Sequence, residues 1–193
     1  MIPPPYLPLP EDLYQPSHDW DWRLSNVFQD FQYLSLRINR NALKRARHDP
    51  TCFQNILTSL QSRLVHLGDL LESPIEQLVR LTMLAMMTTT FKTPGRALPY
   101  GWVIDQLRDL LNIVTGGPFA QDTSLRLWVL ITLTFTITGT QRDWIKDAWR
   151  ETGIGLSWEV VKTHLLRIMW IELIHDKPGQ LVFQELEETR IHW

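Results

Sequence analysis

The chain has 193 residues, 44% of them apolar and 21% charged, with one cysteine and a formal net charge of −2. That length suits one domain able to bury a real core, and the lone Cys52 excludes both an internal disulfide framework and a thiolate metal cluster. A balance on the acidic side argues against a dedicated nucleic-acid surface, which needs a clear excess of Lys and Arg on one face.

The first residues hold Pro3, Pro4, Pro5, Pro8, Pro10 and Pro16, a composition that suits neither a helix nor a central strand. Residues 1–18 are therefore read as an extended, proline-rich lead-in, and 19–193 as a single helical domain. The N-terminal stretch lacks the basic and apolar regions of a signal peptide. Asp19 and Asp21 bracket Trp20 and read as the cap and first-turn acids of a helix. Trp20, Leu24, Val27, Phe28, Phe31, Leu34 and Ile38 then recur at helical spacing on one face. Arg37, Arg40, Lys44, Arg45, Arg47 and His48 form a basic cluster, read first as a solvated helix end, with phosphate or partner contact as the alternative.

Asp49 and Pro50 open a second helix, with Phe53, Ile56, Leu57, Leu60, Leu64 and Leu67 apolar. Ser73-Pro74-Ile75-Glu76 has the pattern of a capping box and starts a third, through Thr88, which Thr93-Pro94-Gly95-Arg96 ends. A fourth runs from Tyr100 to Val114, and Gly116-Gly117-Pro118 breaks the chain.

Leu125 to Thr138 is rich in Thr, Ile and Val, which favours a strand, but its length and lack of alternation favour a buried helix. At about fourteen residues it is also short of the roughly twenty that cross a membrane. A sixth helix covers Arg142 to Glu151 and stops at Gly153. Ser157 caps a seventh, from Trp158 to about His175. Lys177-Pro178-Gly179 reads as a turn, and Leu181 to Glu188 as a short last helix. The expected fold is all-α, a compact multi-helix bundle of about seven helices plus a short C-terminal one.

Three stretches carry a resemblance: ESPIEQLVRLTMLAMMTTTF (72–91), LRLWVLITLTF (125–135) and SWEVVKTHLLRIMWIELIHDKPGQLVFQEL (157–186). In order and spacing they resemble the C-terminal part of the fungal-specific transcription factor domain, the helical regulatory region that follows the zinc cluster in many fungal regulators. The resemblance spans about residues 55–188. It implies an all-helical regulatory domain in the nucleus or cytoplasm, tied to control of fungal secondary metabolism and acting through a hydrophobic small molecule or a protein coregulator. The binuclear cluster itself needs six cysteine ligands, so DNA contact does not carry over to this chain. The basic linker and dimerising coil of the family are missing too. Homodimerisation through an exposed helix stripe stays open, without a sustained heptad to support a coiled coil.

Tryptophan is abundant, with nine in the chain. Trp102, Trp128, Trp144, Trp149, Trp158 and Trp170 fall on or near apolar stripes, where core packing is the plain reading. The functional reading is an aromatic pocket for a hydrophobic molecule, lined by Trp128, Trp149, Trp170 and Met86, with Met83, Met87 and Met169 as further candidates for its wall.

His175 and Asp176 end the predicted seventh helix, where a histidine suits the helix dipole. In the resembled family this pair matches the turn before the last helix. The sharper reading makes His175, with Glu172 or Asp176, a general acid/base. His164 is read as a core or boundary histidine, and alternatively as a proton carrier. The chain lacks a P-loop, a G-x-S-x-G elbow, an H-E-x-x-H pair and an Asp-rich magnesium face. No cofactor and no metal site are expected. The enzymatic alternative is an isomerase or cyclase acting on a hydrophobic natural-product intermediate.

Overall fold

The computed structural model describes residues 12–43, 50–91, 101–137, 142–152 and 155–191. Among these the elements are α1 (Trp22–Leu43), α2 (Pro50–His66), α3 (Pro74–Phe91), α4 (Gly101–Val114), α5 (Pro118–Gln121), α6 (Thr123–Thr136), α7 (Asp143–Arg150), α8 (Trp158–Ile168) and α9 (Glu172–Ile191), with no strand. The fold is all-α. The expected cap at Asp49, the stop at Thr93 to Arg96 and most of the basic cluster, Lys44 to His48, lie outside the described residues.

The ambiguous stretch is the central helix, α6, which packs against α3, α5, α7, α8 and α9. A helix covered on all sides must be apolar nearly all round, and α6 buries Leu125, Leu127, Trp128, Val129, Leu130, Ile131 and Leu133 together with Thr132, Thr134 and Thr136. Two of these threonines are accommodated by bonding back to their own helix. Thr134 Oγ1 donates to Leu130 O at 2.7 Å and Thr136 Oγ1 to Thr132 O at 2.9 Å. These bonds satisfy hydroxyls that a dry core would otherwise penalise. Asp122 caps the helix, accepting from Leu125 N at 2.9 Å, as a side-chain oxygen at this position typically does.

The α1 stripe is buried as its spacing requires, from Trp20 to Ile38. Asp21 caps α1, its Oδ1 accepting from Arg23 N at 2.8 Å. Glu76 departs from the capping-box expectation. Its carboxylate accepts from the Asp21 backbone N–H, tying the start of α1 to the start of α3 across 55 residues. Ser157 sits at the N-cap of α8 with extended backbone but makes no side-chain cap. Pro118, read only as part of a break, opens the short α5 and seats Phe119 in the core.

The larger departures are near the C-terminus. The predicted seventh helix is two helices, because the chain is extended at Met169 (φ −164°, ψ 112°) before α9 begins. Asn39 of α1 holds this break. Its Nδ2 donates to Trp170 O at 2.7 Å, and its Oδ1 accepts from Glu172 N at 3.0 Å. Met169, Trp170 and Ile171 are all buried, so the break inserts three apolar side chains into the core.

Lys177-Pro178-Gly179 is not a turn but the interior of α9. Pro178 forfeits one backbone hydrogen bond, yet the helix persists because its far end is gripped by α7. Trp149 Nε1 donates to Glu187 at 3.1 Å, Arg142 and Lys146 both reach Glu185, and Arg150 Nε donates to Thr189 O at 3.2 Å. The last helix is therefore 20 residues long rather than short.

The lead-in is anchored from Asp12 onward. Leu13 is buried, Tyr14 N donates to Arg167 O at 2.9 Å, and Gln32 Nε2 donates to both Tyr14 O and Arg167 O.

Candidate functional site

The proposed pocket residues fall into two aromatic groups instead of one cavity wall. Trp128 packs at 6.4 Å from Phe28, which also meets Trp20 and Tyr14. Trp149 and Trp170 belong to a second row, in which Trp149 meets Phe183, Phe183 meets Trp158, and Trp158 meets Trp170. Trp128, Trp149, Trp170 and Met86 are at most 1% exposed, as are Met83, Met87 and Met169, so they fill the interior. Trp144 and Trp158 are partly buried against it, while Trp102, expected on or near an apolar stripe, is 66% exposed on α4.

His175 lies in the first turns of α9 rather than at a helix end, and it is fully buried. Its ring stacks on Phe135 (5.8 Å, 22°) and lies 5.1 Å from that of Trp170. Nδ1 accepts from Ile171 N at 3.1 Å, so that nitrogen carries no proton and the proton sits on Nε2. This bond stabilises the first turn of α9 at the break.

Burial pushes the His175 pKa down to about 3, with neighbouring Asp176 opposing the shift, because a desolvated imidazolium is disfavoured. The unfolded chain takes up this proton near pH 6.5, so stability is fully present above that value and is lost as the pH falls through it toward the folded-state value. Between pH 7.5 and 5.5 the expected loss is about 1 kcal/mol, seen as a lower urea midpoint. His164, also lowered mainly by burial, acts in the same direction. A midpoint that stays flat over this window would show that the folded chain protonates His175 freely.

Glu172 and Asp176 share a face of α9, as their spacing predicts, and grip Lys162 of α8 at 2.8 and 2.7 Å. The hydrogen bonds to Asp176 and Glu172 raise the Lys162 ammonium. Asp176 also accepts from Trp170 Nε1 at 2.8 Å. The four groups form a closed clamp across the α8–α9 junction.

His164 lies elsewhere, on the middle of α8, and its Nδ1 is 2.8 Å from Ser124 Oγ at the start of α6. Two residues before Ser124, Asp122 accepts from Tyr14 OH at 2.7 Å. Burial, helped by that carboxylate, raises the Tyr14 phenol and keeps it a donor. The structure thus separates His164 from the His175–Glu172–Asp176 group.

An open site lies between α1 and α2, a groove of about 460 Å³. Val27 and Leu67 form its buried floor, and Trp22 and Leu70, 70% and 47% exposed, stand at its edge. Arg23, Arg63 and His66 supply cationic or ionisable groups, and Asn26 and Ser62 supply hydrogen-bonding ones. Arg23 pairs with Asp21 at 2.6 Å and Arg63 with Asp30 at 2.5 Å, and neither aspartate lines the groove. The sequence placed Val27 and Leu67 on core stripes and gave the other lining residues no role. The available signal was Trp22, a large aromatic that falls off the Trp20–Leu24–Val27 stripe of its own helix.

Among the described residues, no group of three or more His, Cys, Asp or Glu is placed to hold a metal, and no helix is long and apolar enough to cross a membrane. Compared with family models, with curated proteins and with solved structures, the chain matches none.

Proposed function

We propose that this chain is a regulatory helical domain of the kind found in fungal transcription factors, controlling genes of fungal secondary metabolism by binding a hydrophobic small molecule or a protein coregulator. With one cysteine it cannot itself build the zinc cluster that reads DNA in such factors. The observation that carries the reading is the α1–α2 groove, where a tryptophan and a leucine are left at the edge of an apolar floor. The three stretches resembling the fungal domain supply the link to transcription.

The test is a reporter assay in yeast, with the full chain fused to an unrelated DNA-binding module. The fusion should change reporter output several-fold relative to the module alone, and Trp22→Ala should remove most of that change. Output equal to that of the bare module would refute the regulatory reading.

A second reading, an isomerase or cyclase acting on a hydrophobic natural-product intermediate, draws on the Ser124–His164 contact, which places a hydroxyl against a partly exposed imidazole. It requires turnover of such an intermediate that His164→Ala abolishes.

A further inference from the structure

We infer that the α1–α2 groove binds a small amphipathic anion, a molecule with an apolar body and a carboxylate or similar head group. The inference rests on the regulatory reading and names the class of effector.

Size comes first. The groove holds about 460 Å³, a volume within the range typical of small-molecule sites. An apolar body suits the floor of Val27 and Leu67, and closing over it would remove Trp22 and Leu70 from water. Two helices supply most of these surfaces, so the occupant bridges α1 and α2 rather than lying on one of them.

Charge decides the head group. Among the described residues that line the groove, every ionisable one is basic: Arg23, Arg63 and His66. The carboxylates that pair with the two arginines, Asp21 and Asp30, sit outside the lining, so each pair turns its cationic end inward. A guanidinium carries five donors. Asp30 engages Arg63 through NH1, and Asp21 engages Arg23 through Nε and NH2, leaving further N–H groups on both. The two side chains remain 38% and 41% exposed, so they can meet a ligand without breaking the existing pairs. Asn26 and Ser62 add neutral hydrogen-bonding groups beside them. A carboxylate suits such a fork, whereas an ammonium head would meet like charge and find no acid among the described lining residues.

Isothermal titration of the full chain with dodecanoate, dodecan-1-ol and dodecylammonium, each below its aggregation threshold, tests this. Dodecanoate should bind one to one and at least tenfold more tightly than dodecylammonium. Arg63→Gln and Arg23→Gln, each checked for an unchanged helical signal, should weaken dodecanoate at least tenfold and leave the alcohol nearly unaffected. Trp22→Ala should weaken both. Absence of dodecanoate binding, equal binding of the three head groups, or multiple binding indifferent to Trp22→Ala would overturn the inference. If the reporter fusion still responds to Trp22→Ala in that case, only the ligand class falls and the regulatory reading stands.

Discussion

Replacing Trp170 with alanine is expected to destabilise the fold by about 3–5 kcal/mol, the range for deleting a fully buried large aromatic side chain. Trp170 is 1% exposed and stands where three elements meet. Its ring lies 5.9 Å from that of Phe135 on α6, 6.4 Å from that of Trp158 on α8 and 5.1 Å from that of His175 on α9. Its indole N–H also donates to Asp176, which holds Lys162. The substitution thus opens a cavity and leaves Asp176 without one of its donors. Natural domains have only about 5–15 kcal/mol of total stability, so a large share of it is lost. Trp170→Phe keeps much of the ring and loses the N–H, and should cost clearly less. Urea denaturation followed by far-ultraviolet circular dichroism reads both, and a loss below about 1 kcal/mol in Trp170→Ala would show that the ring is not packed as described.

Gly179→Ala should destabilise by about 2 kcal/mol, against the sign that helix propensity assigns. Gly179 lies inside α9, and an exposed Gly→Ala change in a helix interior gains about 1 kcal/mol. Here a Cβ would come within 2.6 and 2.8 Å of two atoms of the Trp170 ring and 3.0 Å of Trp158. Real Cβ atoms essentially never come that close, and the neighbours are rigid rings rather than flexible chain ends. Overpacking of this sort costs about 1–3 kcal/mol or more, and a double clash with indole rings puts it at the upper end, so packing outweighs propensity. A double-mutant cycle isolates the cause. With Trp170→Ala already present most of the steric conflict is gone, and Gly179→Ala should become neutral or stabilising. A destabilisation of equal size in both backgrounds would place the origin in the backbone rather than in the ring contact.

These two positions also show how far the sequence could be read. Spacing along α1 placed Trp20 through Ile38 on one face, and all seven stripe residues are buried. For α6, length and lack of alternation decided correctly against a strand, although the residue types pointed the other way. Local signals fail where a distant side chain overrides them. The helical period runs unbroken through Met169 to Ile171, yet Asn39 of α1 bonds to both sides of the break and makes the extended link the better satisfied one. Pro178-Gly179 looks like a turn to any local rule, and α9 continues because α7 holds its far end and Trp170 needs a residue without a side chain beside it.

The candidate site divides in the same way. Glu172 and Asp176 are one helical turn apart, so their shared face was legible, but the partner that occupies them, Lys162, comes from another helix. His175 carries no local sign of full burial. Its low pKa follows from the rings of Phe135 and Trp170 closing around it.

The sequence by itself determined that this protein is helical and which stripe of α1 and of α2 turns inward, because hydrophobic periodicity acts over a few residues and is written in their spacing. Only the tertiary structure decided where the C-terminal helices break, which tryptophans are core and which stand at a surface, and that α1 and α2 leave a groove rimmed by arginines. Those outcomes depend on hydrogen bonds and van der Waals contacts between residues far apart in the chain, and no local pattern encodes such a meeting.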